Sequence, residues 1–137
     1  MSCIFCDIIK KKEKAEILFE DQSTISFLDI RPLNFGHSLV IPKNHYENFY
    51  QVPVNNLQSI IKSTQDLTNA ILKSINPDGI NIISNNGSSA GQTIFHFHFH
   101  IIPRFKNDHF SFRPHFKEYS DGLMKEYAIK IRSAINS

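Results

Sequence analysis

The feature that most constrains this chain is an alternating run of side chains at residues 95–102. In this run His96, His98 and His100 alternate with phenylalanine and isoleucine. Successive side chains of a β-strand lie on opposite faces, so the three imidazoles would share one face at steps of about 6.5–7 Å. The pattern therefore predicts a strand with an apolar core face and an imidazole face.

The rest of the chain predicts further strands and helices around this one. Residues 55–75 carry apolar side chains every three or four positions, which indicates one long amphipathic helix covering a sheet. We also expect a short helix at 3–12, strands at 17–20, 24–30, 37–41 and 80–84, with Pro42 and Pro103 ending two strands, and a final helix after Ser120. The predicted fold class is α+β, with a mostly antiparallel five-stranded sheet, a long covering helix and short terminal helices.

Length and composition limit what the chain can be. With 137 residues and 41% hydrophobic content it has material for one core, so we expect a single domain over 1–137 with a core at about 3–105 and an extension at 106–137. No run of about 18 apolar residues and no signal peptide is visible, which predicts a soluble, cytoplasmic protein without membrane contact. A net charge of +2 gives no reason to expect nucleic-acid binding. The basic and aromatic side chains of 104–117 are expected to cover the sheet or a partner subunit rather than stack on nucleic acid.

A polar loop precedes the histidine run and bears on its chemistry. Residues 85–93 contain glycines, serines, Asn85, Gln92 and Thr93, which offer amide, hydroxyl and backbone N–H donors. Such donors suit phosphate oxygens and stabilise developing negative charge. Three imidazoles alone would fit either a metal site or nucleophilic catalysis, and the loop favours the second.

Residues 91–102 (Gly-Gln-Thr-Ile-Phe-His-Phe-His-Phe-His-Ile-Ile) resemble the histidine-triad motif, H-φ-H-φ-H-φ-φ, of the HIT family of nucleotide hydrolases and transferases. The likeness extends to residues 3–9, 27–32 and 37–43, and covers the chain from about 3 to 105. It implies the HIT fold and a purine-nucleotide substrate. It also implies a homodimer, because members of the family usually pair.

The resemblance further implies roles for individual residues. His98 would attack the α-phosphorus and form a nucleotidyl-histidine, with His37 and His100 beside it. Gln92 and Thr93 would hold the α-phosphate and leaving group, Asn85 would contact phosphate, and Asp29 would receive the ribose hydroxyls. Thr93 stands where animal members often have serine, which keeps the hydroxyl. The apolar slot for the base would be built from the side chains of Phe5, Ile8, Phe27, Ile30 and Leu39.

Cys3 and Cys6 lie one helical turn apart, so their thiols would face the same way. Their spacing fits a zinc site or a redox pair, but a thioredoxin-like pair would normally sit in a βαβ pattern that the sequence lacks. Zinc would need two further ligands. In similar proteins these are a histidine after the Val-Ile-Pro strand and the first triad histidine, which correspond here to His45 and His96.

The activity that this resemblance implies is hydrolysis of nucleoside 5′-phosphoramidates or related AMP derivatives. Cleavage of diadenosine polyphosphates is the alternative, because Pro103-Arg104 after the triad resembles members that do this. Two alternatives come from other classes: a nucleotide-binding regulatory protein with little turnover, and a zinc protein without catalysis. The histidine at position 98 argues against both of them.

Overall fold

The computed structural model describes residues 2–111 and 113–135. The helices are α1 (Ile4–Ile9), α2 (Val54–Ile75) and α3 (Leu123–Ile135), with short 3-10 turns at Phe49–Gln51 and Ser88–Ala90. The strands are β1 (Ile17–Glu20), β2 (Thr24–Leu28), β3 (Ser38–Pro42), β4 (Gly79–Ile83) and β5 (Phe99–Arg104).

The five strands form one antiparallel sheet in the order β1-β2-β3-β5-β4. The predicted α+β class and the five-stranded antiparallel sheet are confirmed. Strand β5, which carries the last histidine of the run, lies between β3 and β4 and is therefore held on both sides.

Of the two prolines expected to end strands, Pro42 is the last residue of β3, whereas Pro103 lies inside β5, which continues to Arg104. Pro42 pairs with Thr24 of β2, and Pro103 pairs with Ile80 of β4. The ladder between β3 and β5 covers only Ser38–Val40 against Phe99–Ile101, so each proline has a neighbouring strand on one side only. A missing N–H is tolerated where no neighbouring strand would accept a hydrogen bond from it, which is why β5 continues past Pro103 and the prediction was wrong there.

Strand β5 begins at Phe99, four residues later than the alternating pattern predicted. Residues 95–98 are irregular, and the backbone N–H of Phe97 donates to the carbonyl of Tyr46 rather than to a strand. The alternation of faces nevertheless survives. Phe97 packs under α2, whereas the rings of His96 and His98 both pack edge-on against Phe5 of α1.

The sheet separates two apolar clusters. One lies against α1 and contains Phe5, Ile8, Ile25, Phe27, Leu39 and Ile41. The other lies under α2 and contains Val40, Val52, Ile60, Ile71, Phe97 and Ile101. Alternate residues of β3 therefore serve opposite faces, as a strand buried on both sides requires. The hydroxyls of Ser63 and Thr24, 2.9 Å apart and buried, join α2 to β2.

The segment after β5 leaves the sheet. Phe116, one of the aromatic side chains of 104–117, is 88% exposed, so it does not cover the sheet of its own chain, which was one of the two expectations for this segment. Helix α3 follows and has no buried residue. No helix in the described ranges is long and apolar enough to cross a membrane.

Candidate functional site

A cavity of about 510 Å³ lies between α1 and the histidine-bearing face of the sheet. This volume falls in the range of small-molecule sites. Of the predicted site residues, those that line it are Phe5, Ile8, Phe27, Asp29, Ile30, His37, Leu39, Asn85, Thr93, His98 and His100. The fold thus brings together residues from five separate stretches of the chain.

The proton on His98 has a fixed position. Its Nδ1 lies 2.7 Å from the carbonyl oxygen of His96, and a carbonyl only accepts, so Nδ1 must carry the hydrogen. In the neutral ring Nε2 then keeps its lone pair. His98 is buried and lines the cavity, so the arrangement provides a neutral nitrogen nucleophile.

A second chain of hydrogen bonds determines the tautomers of His37 and His100. The backbone N–H of Leu33 donates to His37 Nδ1 at 3.1 Å, so the neutral ring carries its hydrogen on Nε2. That Nε2–H donates to His100 Nδ1 at 2.9 Å. His100 must in turn carry its hydrogen on Nε2. The backbone amide of Leu33 therefore determines the tautomers of both rings.

All three histidines around the cavity are held neutral, mainly by burial. Burial lowers the pKa of His98 below its ordinary value. The pKa of His100 falls to about 4, first because of burial and then because of the neighbouring charges of His98 and His37. Burial also lowers the pKa of His37, against the opposing effect of Asp29. Desolvation disfavours the charged form of an imidazole, so these rings remain neutral near pH 7.

Asp29 occupies the edge of the cavity at the end of β2. Its Oδ1 accepts the backbone N–H of Arg31 at 2.9 Å, and its Oδ2 lies 3.6 Å from His37 Nε2. Asp29, His37 and His100 are close enough to suggest a metal site. However, a metal would need the Nε2 lone pair of His37, and the Leu33 N–H places a hydrogen there. These three side chains are therefore better suited to hydrogen bonding with hydroxyl groups than to binding a metal.

The apolar side of the cavity is a slot formed by helix α1 and strands β2 and β3. Phe5, Ile8, Phe27 and Leu39 are buried in it, and the Phe5 ring stands edge-on to His98 at 5.2 Å between centroids. Ile30 differs, because it is 88% exposed and lies at the rim. The slot can receive a flat apolar group whose attached phosphate would reach His98.

The polar loop contributes less to the cavity than its composition suggested. Asn85 and Thr93 line it, but Gln92 is not among the described lining residues. The buried Gln92 amide accepts from the Gly87 N–H at 2.8 Å and donates to the carbonyls of Glu47 and Ile94. The Gln92 side chain therefore stabilises the backbone of the loop and does not line the cavity.

The second cluster of chemical interest lies beside the cavity and consists of Cys3, Cys6, His45 and His96. Cys6 Sγ is 3.3 Å from His45 Nδ1 and 3.6 Å from His96 Nδ1, and Cys3 Sγ is 3.5 Å from His96 Nδ1. Tetrahedral zinc with Zn–S bonds of about 2.3 Å and Zn–N bonds of about 2.05 Å requires S···N separations of about 3.6 Å. These four side chains are therefore spaced as ligands of one ion.

The hydrogen bond made by the His96 ring also indicates a metal site. Its Nε2 lies 2.8 Å from the carbonyl oxygen of Pro42, so Nε2 carries the hydrogen and Nδ1 turns its lone pair towards the thiols. Donation of the second ring N–H to a carbonyl is the usual support for a metal-bound histidine. Burial, with the adjacent Cys3 thiol, raises the pKa of Cys6, an effect that a bound cation would reverse. The cluster can hold a metal.

Some residues of the site were not found from the sequence. Ile94 lines the cavity, and it has the same parity as the three histidines, so extending the alternation by two residues would have identified it. The backbone amide of Leu33 gave no sequence signal, because its contact with His37 depends on the shape of the loop between β2 and β3.

The fold and the histidine-lined cavity can now be compared with those of known proteins. The HIT domain model matches residues 10–107, so the chain belongs to the HIT family. An uncharacterised HIT-like protein of Methanocaldococcus jannaschii is 48% identical over 106 residues, which is 77% of this chain and 81% of that protein. The adenosine 5′-monophosphoramidase of Schizosaccharomyces pombe is 39% identical over 104 residues, 76% of this chain and 75% of the enzyme.

Solved structures agree with this assignment. A Streptococcus mutans protein superposes with a TM-score of 0.92 at 34% identity, covering 98% of this chain and 85% of that one. A zinc-bound histidine triad family protein from Mycobacterium smegmatis gives a TM-score of 0.76 at 35% identity, covering 98% of both chains. The likeness thus includes the segment after residue 107, where the family model stops.

Proposed function

We propose that this protein hydrolyses nucleoside 5′-phosphoramidates or related AMP derivatives through a covalent nucleotidyl-histidine on His98. The observation that carries the proposal is the bond from His98 Nδ1 to the His96 carbonyl, which leaves a neutral Nε2 lone pair in the cavity. The relationship to a named phosphoramidase supports the substrate class.

The reaction proceeds in two displacements. Nε2 of His98 attacks the phosphorus, the P–N bond to the leaving amine breaks, and the amine takes a proton from water. The hydroxide left by that proton transfer then attacks the same phosphorus, the P–Nε2 bond breaks, and His98 recovers its electron pair. The sum is phosphoramidate plus water giving AMP plus amine. Two easier displacements replace one difficult one.

The surrounding residues take positioning roles in this scheme. The Nε2–H of His100 is a donor for a phosphoryl oxygen, and Thr93 and Asn85 add donors from the loop. Asp29 accepts from the ribose hydroxyls, and the slot at Phe5 and Ile8 receives a purine base.

Two other functions compete with this one. A diadenosine polyphosphate would place a phosphate and a second nucleoside where the amine leaves. A regulatory nucleotide-binding protein would bind AMP with little turnover. The neutral Nε2 lone pair of His98 at the cavity supports catalysis over simple binding.

A substrate panel with intermediate trapping tests the proposal. Adenosine 5′-phosphoramidate and its alkylamine derivatives should turn over faster than diadenosine tri- and tetraphosphate. An alkaline quench during turnover should leave adenylyl mass on the peptide containing Phe97-His98-Phe99, because the P–N bond to histidine is acid-labile. Tight AMP binding with no turnover of any substrate would favour the regulatory alternative.

We also propose that Cys3, Cys6, His45 and His96 hold a structural zinc ion. The separations and the orientation of His96 support it, as does the zinc-bound relative. A four-ligand site is closed, so the metal would stabilise the fold rather than act on substrate. Reduced thiols as ligands suit a reducing compartment, and we assign the protein to the cytoplasm.

We further propose that the protein forms a homodimer. Helix α3 has 13 residues and no buried side chain, and its apolar side bears Met124, Tyr127, Ile131 and Ile135. An isolated helix of this length is marginal in water, so its stability requires packing that the described part of its own chain does not supply. A second copy of the chain is the partner we propose.

A further inference from the structure

A half-buried polar cluster lies behind the loop that carries Asp29 and His37. It consists of Asn34 in that loop, Arg104 at the end of β5, and Asp108 just beyond it, and we call it the Asn34 clamp. The clamp residues do not line the cavity. No proposed reaction step uses them, so their tight mutual bonding needs another explanation.

The Asn34 side chain uses both of its amide hydrogens. Its Nδ2 donates to the carbonyl oxygen of Pro103 at 2.9 Å and to Asp108 Oδ2 at 3.0 Å. The backbone carbonyl of Asn34 accepts the N–H of His37 at 3.0 Å. One residue therefore joins the end of β5 to the backbone of a cavity histidine.

Asp108 is a rigid acceptor for this amide. The Arg104 guanidinium donates two hydrogen bonds of 2.9 Å to the Asp108 carboxylate, from Nε to Oδ2 and from Nη2 to Oδ1. The backbone N–H of Phe105 donates a third, also of 2.9 Å, to Oδ2. Arg104 is itself held by Asn81 Oδ1 at 2.7 Å on β4. The Arg104 guanidinium holds the pKa of Asp108 well below its usual range, so the clamp stays charged throughout any assay near neutral pH.

Gly36, at the other end of this loop, lies against the side chain of Ile75 in α2. A Cβ atom on Gly36 would come within 2.5 Å of Ile75 Cδ1, and Gly36 has a φ of +95°. The Gly36 backbone therefore lies close to the Ile75 side chain of α2, in a conformation that residues with a side chain rarely adopt. The loop is held at Asn34 by the clamp, and near Gly36 it packs against Ile75 of α2.

The position of Asn34 matters because the preceding residue, Leu33, makes the contact with His37. The Leu33 N–H donates to His37 Nδ1 at 3.1 Å, and this bond sets the tautomers of His37 and then His100. Moving Asn34 would move the adjoining amide. A displaced amide would allow His37 to place its hydrogen on Nδ1, and His100 would lose its donor.

We propose that Asn34, Arg104 and Asp108 are positioning residues for the reaction, which hold the Leu33 amide against His37 and so keep Nε2–H of His100 directed to the substrate. The effect on turnover rests on the proposed function. The effect on the histidine tautomers does not, and it can be measured without any substrate.

Asn34→Asp is the sharpest test, because it keeps the shape of the side chain, removes both donors and places a carboxylate against Asp108. We expect kcat to fall about 10- to 100-fold with AMP affinity within about threefold. Imidazole 15N spectra at pH 7.5 should show His37 with an unprotonated Nδ1 in wild type and a mixture of tautomers in the variant.

Asn81→Asp is the matched control. It is the same substitution in a residue that contacts the same arginine, but Asn81 acts there only as an acceptor through Oδ1, and aspartate keeps that function. This variant should retain wild-type kcat and the wild-type 15N pattern. A purely structural role for Asn34 would lower the melting temperature without moving the tautomers.

The result that overturns the proposal is a folded Asn34→Asp protein with kcat within twofold of wild type and unchanged 15N shifts. Should that variant fail to fold, Asp108→Asn decides in its place, because it weakens the grip of Arg104 without adding a charge; unchanged kcat and tautomers would then overturn the proposal. If wild type itself hydrolyses nothing, the proposed function fails, while the 15N comparison still tests the clamp.

Discussion

His98 Nδ1 lies 2.7 Å from the carbonyl oxygen of His96. His96 thus contributes to both clusters, with its backbone orienting the nucleophile and its side chain directed to Cys3 and Cys6. Any ion held by the thiols would fix the peptide that sets the tautomer of His98. The metal cluster and the cavity are therefore mechanically joined through one residue.

Replacing His98 with alanine should reduce turnover by at least about a thousandfold, because the covalent step is lost. AMP affinity should stay within about tenfold, since the slot, Asp29 and the loop donors remain. Steady-state kinetics and calorimetric AMP titration measure the two effects. His115→Ala, at an exposed histidine, is the control and should behave as wild type. Substantial hydrolysis by His98→Ala would mean that another group is the nucleophile.

The purified protein should contain about one zinc ion per chain, measured by elemental analysis. His45→Ala should lower zinc content and melting temperature, because His45 is an exposed ligand whose removal loses little packing. His109→Ala removes another exposed histidine and should change neither. Cys6→Ala should lower thermal stability more than AMP affinity. Protein prepared without chelators that lacks metal and has freely titrating thiols would contradict the site.

Hydrolysis should decline on the acid side with a midpoint below about 6.5, the ordinary histidine value. Burial lowers the pKa of His98, so the reactive neutral form persists to lower pH and is lost only as pH falls through the lowered value. The rate at saturating substrate should be flat above that midpoint. Because phosphoramidates decompose in acid, each point needs an enzyme-free blank. A corrected rate that climbs steadily as the pH drops would exclude a neutral imidazole nucleophile.

Disrupting the apolar side of α3 should dissociate the proposed dimer. Ile131 is 58% exposed in the single chain, and Ile131→Asp would place a charge in the interface. Sedimentation should then show a monomer. Ser133→Asp introduces the same charge on the opposite side of the helix and should leave the dimer intact. Wild-type protein that sediments as a monomer would show that a second copy does not cover this helix.

The alternation of histidine and phenylalanine was enough to separate the faces of the sheet, because side-chain direction follows from local backbone geometry. It did not predict where the strand starts. Residues 95–98 satisfy their backbone through contacts such as Phe97 N to Tyr46 O, a partner 51 positions away in sequence. Gln92 shows the same limit, since only the folded loop reveals that its amide is occupied by Gly87 and Glu47.

The sequence by itself determined the fold class and the common face of the three histidines, because periodicity and residue chemistry are local properties. Its resemblance to the HIT family implied the apolar slot, the four possible metal ligands and the role of His98. Tertiary structure decided which nitrogen of each imidazole carries hydrogen. That choice depends on the Leu33 amide and the carbonyls of His96 and Pro42, which meet the rings only when distant segments pack. Backbone groups are the same at every residue, so a pattern of side chains cannot predict which backbone group will contact a histidine.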